Sequence, residues 1–138
     1  PGAGTLQAAL DSATTGDELV LQDGTYTCGG AQTCSGSSAE VLEIDMDITI
    51  RAENAGQAVL DGEDVRRVIW IFVQVEPPKV VLDGLDITKG FTYSAYSGGG
   101  GGVYINGGAV YINVTFNNCD IHHHDYPSWV SARLLNHP

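Results

Sequence analysis

"VVLDGLDITKG", residues 80–90, alternates apolar and polar side chains, breaks at Gly84 and stops at Gly90. Alternation at a period of two marks a strand with one face buried. The phrase is repeated in the chain. "VTFNNCDI" (114–121) copies "VVLDGLDI" (80–87) place by place: Val114 answers Val80, Phe116 answers Leu82, Cys119 answers Leu85, and Asp120-Ile121 answers Asp86-Ile87. Upstream, "AVLDGED" (58–64) repeats the "VLDG" core 22 residues before Val81–Gly84. Looser copies run through "DMDITIRAEN" (45–54) and "DELVLQDGTYT" (17–27).

Between these copies lie "RRVIWIFVQV" and "GGVYINGGAVYINVTF", rich in Val, Ile, Tyr and Phe. Short strands separated by Gly, Asn and Asp turns, at about one coil apiece, read as a solenoid. Helical periodicity appears once, early. Thr5 is a plausible N-cap for "LQAALDSA", in which Leu6, Ala9, Leu10 and Ala13 line one side. A capping helix followed by coils of strand and turn predicts an all-β chain, a right-handed parallel β-helix of about five coils. Each coil leaves an apolar strip that only the next coil covers, so the repeat is a packing requirement. Asn and Gly at the bends supply left-handed backbone angles. The reading divides one domain, 1–138, into a cap (1–16), coils (17–121) and an irregular tail (122–138).

The stretch "GTLQAALDSATTGDELVLQDGTYT" resembles the amino-terminal coil of pectate-lyase-like β-helix proteins. "VLDGLDITKG" followed by "GGGGGVYINGGAVYINVTFNNCDI" is similar to the Gly-rich repeats of polymorphic outer-membrane-type proteins. Those repeats pair a Gly-Gly-Ala-aliphatic element with a Phe-x-x-Asn element. Gly107-Gly108-Ala109-Val110 fits the first, and Phe116-Asn117-Asn118-Cys119 misses the second by one place. The resemblance covers residues 1–121 and implies the fold. It implies no single function, because this scaffold carries lyases, hydrolases, epimerases, adhesins and structural subunits alike.

Charge narrows the partners. The net charge is −11, with six basic residues, Arg51, Arg66, Arg67, Lys79, Lys89 and Arg133. Phosphate recognition needs clustered Lys and Arg, so nucleic acid and anionic membranes are excluded as partners. Cations, a basic protein or plain solubility fit better. No apolar run approaches the roughly 18 residues of a membrane helix. The chain opens directly on "PGAGTLQAAL" without a signal peptide, as a processed product or a segment of something longer would.

Three cysteines are present. Cys28 and Cys34 bracket a Gly- and Ser-rich loop suited to a disulfide, which would place the protein outside the cell, at its surface or in an organelle lumen. A metal site is the competing reading of that pair. Cys119 sits in an alternating stretch and reads as a buried free thiol.

Two clusters offer chemistry. Asp61, Glu63 and Asp64 would admit calcium, as in polysaccharide lyases of this fold, if other coils brought acids such as Asp86 and Asp120 alongside. The bland reading has the "LDG" aspartates, Asp61 and Asp83, bonding the turn beside their glycines. In "DIHHHDYPSW" (120–129), only His122 and His124 point to one face of a strand and share a metal or acid–base role; a solvated surface is the alternative. No catalytic motif is recognisable and no cofactor is required. After it, "YPSWVSARLLNHP" abandons the repeat, and Trp129, Leu134 and Leu135 are candidates to cap the last coil or to bind a partner. "NVT" at 113–115 is an N-glycosylation acceptor pattern. The expectation is a non-catalytic β-helix module that binds protein or glycan. A carbohydrate-active lyase or epimerase and a fragment of a surface adhesin are the alternatives.

Overall fold

The computed structural model describes residues 5–28, 40–73, 78–92, 101–107, 113–122 and 130–134. It opens on one helix, α1 (Thr5–Ser12), whose Leu6 and Leu10, one turn apart, are buried together. Among the described residues twelve strands follow, in three sheets. The first sheet holds β1 (Glu18–Leu21), β4 (Ile48–Ala52), β7 (Lys79–Asp83) and β10 (Asn113–Asn117), in that order. The second holds β2 (Gly24–Tyr26), β5 (Ala58–Asp61), β8 (Leu85–Thr88) and β11 (Asp120–His122). The third holds β3 (Leu42–Ile44), β6 (Ile69–Val73), β9 (Val103–Gly107) and β12 (Val130–Leu134).

Among the described residues every pairing is parallel, and each of β1 to β9 pairs with the strand three further along the chain. The all-β expectation holds in this form. Parallel neighbours cannot be joined by a hairpin, and here the connection between any two runs through the other two sheets. No helix among the described residues is long and apolar enough to cross a membrane.

Alternation sorts the side chains. Along β4, Ile48, Ile50 and Ala52 are buried while Thr49 and Arg51 face outward; along β7, Val80 and Leu82 are buried while Val81 and Asp83 face outward. Leu60 and Ile87 in the second sheet and Ile44 and Ile71 in the third are fully buried, and they join Ile50 and Leu82 in one hydrophobic cluster. Phe116 packs against that same cluster. The coverage thins at the last level, where Val114, Phe116 and Ile121 are only half-buried. At the opposite end, α1 covers β3 and clamps its backbone. The Gln7 side-chain amide donates to the Glu43 carbonyl at 3.2 Å, and the Glu43 N–H donates to Gln7 Oε1 at 2.8 Å.

The corners repeat as the strands do. Asp83 and Asn117 are register partners, and the residues after them, Gly84 and Asn118, both take left-handed angles, φ 71° and φ 51°. A Cβ on Gly84 would also stand 3.3 Å from Ala55 Cα. Gly84 N–H donates to the Asn117 carbonyl at 2.8 Å, which links one corner to the next.

Three expectations need correction. The match between "AVLDGED" and "VVLDGLD" does not mark one wall repeated, because β5 lies in the second sheet and β7 in the first. Both segments are strands running into a Gly corner, so they look alike while occupying different sheets. Among the described residues each sheet has four strands, against about five coils expected. Finally, part of the supposedly irregular tail is ordered. Val130–Leu134 forms β12 and pairs with β9 from Val130↔Val103 to Leu134↔Gly107. Its "VSARL" alternates like the other strands, and the His and Pro around it obscure that.

Burial sets an order of stability costs. Leu82 is fully buried, so Leu82→Ala is expected to cost about 2–5 kcal/mol in urea unfolding. Phe116→Ala, although it removes a larger group, is expected to cost less because its site is half-exposed. Equal or greater loss at Phe116 would show that this level is covered as fully as the interior ones.

Candidate functional site

Two outward faces collect polar or aromatic side chains. On the second sheet, Ile121 packs inward, so Asp120 and His122 face out, and the register sets Asp120 beside Asp86 and His122 beside Thr88. Asp61 lies across from Thr88 on the other side. Two like charges in register repel. His122 meets one of them: its Nε2 lies 2.5 Å from Asp86 Oδ1, with both side chains about a quarter exposed (29% and 24%). A carboxylate–imidazole pair with a second carboxylate alongside is equipped to move protons.

The acids at the next corner are spent on structure. The Glu63 N–H donates to Asp61 Oδ1 at 2.7 Å, the turn bond foreseen for the "LDG" aspartate, and Lys89 Nζ stands 3.8 Å from Asp61 Oδ2. Glu63 Oε1 accepts the Cys28 N–H at 3.2 Å. Glu63 and Asp64 both hold left-handed angles of φ 59°. A Cβ on neighbouring Gly62 would lie 2.5 Å from the carbonyl oxygens of Arg66 and Lys89, so only glycine fits at that position. Asp61, Glu63 and Asp64 thus do not converge on a cation. Among the described residues no group of three or more His, Cys, Asp or Glu side chains is placed to hold one.

On the third sheet, Ile69 and Ile71 are fully buried, which turns Trp70 and Phe72 to the outer face of β6. Their rings meet edge to face at 5.3 Å. Register places Tyr104 beside Trp70 and Asn106 beside Phe72. The Arg67 guanidinium lies over the Tyr104 ring, 4.5 Å from its centre, and Arg67 Nη1 stands 3.4 Å from Glu40 Oε1. A longer contact of 3.5 Å joins Arg67 Nη2 to Thr92 Oγ1. Burial lowers the Arg67 pKa, and the neighbouring Glu40 and Tyr104 act in the opposite direction. Trp70 Nε1, Asn106 Oδ1 and Glu40 Oε2 are buried without a hydrogen-bond partner among the described residues. Buried and unpaired, these polar atoms are a cost to the fold.

A groove of about 450 Å³ runs between α1 and β1, lined by Leu6, Ala9, Leu19, Leu21 and Tyr26. The Tyr26 hydroxyl donates to the Gln22 carbonyl at 2.9 Å; burial, with Asp23 nearby, raises its pKa.

The remaining sequence candidates divide between resolved and undescribed positions. Cys28 is fully buried and disulfide-bonded, while Cys34 lies outside the described residues. His124, Trp129 and Leu135 also lie outside them, and Leu134 ends β12. Cys119 is a free, half-buried thiol whose Sγ donates to the Leu82 carbonyl at 3.3 Å; burial raises its pKa. The sequence asked stacking to bring acids such as Asp86 and Asp120 alongside Asp61, Glu63 and Asp64; the register sets Asp120 beside Asp86, but it pairs Asp86 with Val59 and Asp61 with Thr88. Sequence reasoning missed the cluster around Trp70. The available signal was "RRVIWIFV", where two aromatics occupy the alternate positions that a half-buried strand fills with polar groups.

No family model, curated protein or solved structure matches this chain.

The Arg67–Glu40 pair is nearly enclosed, with side chains 11% and 12% exposed. Arg67→Met is therefore expected to cost about 3–5 kcal/mol by stranding the Glu40 charge. Adding Glu40→Gln is expected to recover part of that loss. Strict additivity of the two variants in urea unfolding would show that the pair is not coupled.

Proposed function

We propose that this chain is a right-handed parallel β-helix module of an exported protein, secreted, surface-held or lumenal, which binds a glycan or protein partner and catalyses nothing itself. The β-helix reading is supported by the three-strand interval between pairing partners and by the one hydrophobic cluster that draws on all three sheets. The binding reading rests on a single observation, the pair of partly exposed rings Trp70 and Phe72 on the outer face of β6, seated beside a buried Tyr104 that Arg67 covers.

Tryptophan, tyrosine and arginine dominate the energetics of protein interfaces. Flat aromatic rings also suit the C–H faces of sugars. The net charge of −11 repels polyanions, which favours a neutral glycan or a basic protein.

An enzymatic reading has one observation in its favour. Asp86, Asp120 and His122 on the second sheet have the makings of an acid–base site acting on a carbohydrate.

Titration of the whole chain with a panel of neutral and acidic polysaccharides, followed by tryptophan fluorescence, separates these readings. The expected result is saturable binding of a neutral glycan, weakened about tenfold or more by Trp70→Ala, equivalent to roughly 1.4 kcal/mol, and unaffected by Asp86→Asn. A flat titration throughout would move the reading to a protein partner. Release of unsaturated sugars, seen as rising ultraviolet absorbance and abolished by His122→Gln, would replace binding with catalysis.

A further inference from the structure

We infer that Asn113 is an acceptor for an N-linked glycan, carried on the outward face of the first sheet. The acceptor pattern Asn113-Val114-Thr115 makes up the first three residues of β10. Strand alternation divides it as a glycosylated segment requires. Asn113 and Thr115 are exposed on the outer face, while Val114 turns inward and packs on the core. Transfer takes place on the extended chain, so the folded state sets one condition: the finished glycan must stand outside. Had the register slipped by one residue, Asn113 would point into the hydrophobic cluster and a glycan there would forbid the fold.

The surroundings leave room for it. Among the described residues β10 pairs with β7 alone, where Lys79 and Val81 lie opposite Asn113 and Thr115. Next to these a shallow depression of about 220 Å³ is lined by Gly16, Asp47, Thr49, Lys79 and Val81. Its Asp47, Thr49 and Lys79 bond hydroxyls, beside the aliphatic Val81, a suitable seat for the first sugar. Neither the aromatic face of the third sheet nor the acidic face of the second is touched. The inference therefore stands whichever of those faces binds a partner.

In the transfer, the Asn113 side-chain nitrogen bonds to the anomeric carbon of an oligosaccharide carried on a polyprenyl pyrophosphate. The carbon–oxygen bond to the pyrophosphate breaks, the polyprenyl pyrophosphate leaves, and the amide loses one proton. The Thr115 hydroxyl is the part of the pattern that the transferase recognises. The physical consequence is steric. A bulky hydrophilic group on β10, whose far edge has no partner strand among the described residues, hinders that edge from pairing with another chain.

The test is to route the full chain, fitted with an export signal, through the secretory pathway of a eukaryotic cell and to measure its intact mass. One glycan is expected. Peptide N-glycosidase should remove it and convert residue 113 to aspartate in the peptide map. N113Q and T115A should emerge at the bare polypeptide mass, whereas T115S should remain modified; all three replace exposed side chains and should fold. Secretion of the unsubstituted chain at its bare mass, from cells that glycosylate a control protein, would overturn the inference. So would a glycan mapped to Asn117 or any other residue.

Discussion

A strand whose inward side chains are Ile, Leu and Val has no use for them until another layer covers them, and in this chain the cover is the strand three elements later. Ile50 is shielded by Leu82, Leu60 by Ile87 and Ile69 by Val103, and all of these are fully buried. Burying such a side chain contributes about 1.5–3 kcal/mol, and a fixed interval between levels multiplies the gain without new design. The interval in turn fixes where corners fall. That is why Gly84 and Asn118 recur with the same backbone twist, and why Gly62 sits where two carbonyl oxygens leave no space for a side chain.

Function is confined to what such stacking leaves free. The inward positions are committed to the cluster, so chemistry lies on the outward ones. There parallel register juxtaposes residues that are far apart in sequence. Asp86 and Asp120 share one face by this mechanism, as do Trp70 and Tyr104. The two faces differ in kind. The second sheet offers titratable groups in partial contact with water, and the third offers large rings with a guanidinium folded over one of them. The end levels differ again: α1 closes one end of the third sheet through Gln7 and Glu43, while the last described level keeps Val114, Phe116 and Ile121 half-buried.

Much of this was legible beforehand. The alignment of "VVLDGLDI" with "VTFNNCDI" reproduces the observed register, because inward apolar and corner positions are under the same constraint at both levels. The helix over "TLQAALDS" and the turn bond of Asp61 were also readable, since both depend on neighbours in sequence. The cluster of Arg67, Glu40, Tyr104 and Trp70 was not. Its members come from three separate levels, and each taken alone looks like an ordinary surface or core residue.

The sequence by itself determined that the chain would form short parallel-stacking strands with left-handed corners at Gly and Asn, because period-two alternation and corner chemistry are local properties. Only the tertiary structure decided which copy lies on which sheet, how many levels exist and that "VSARL" belongs to the third sheet. Those follow from the register between strands roughly thirty residues apart, as Glu18 with Thr49. Register is chosen by how whole levels pack together, and no single stretch of sequence contains that information.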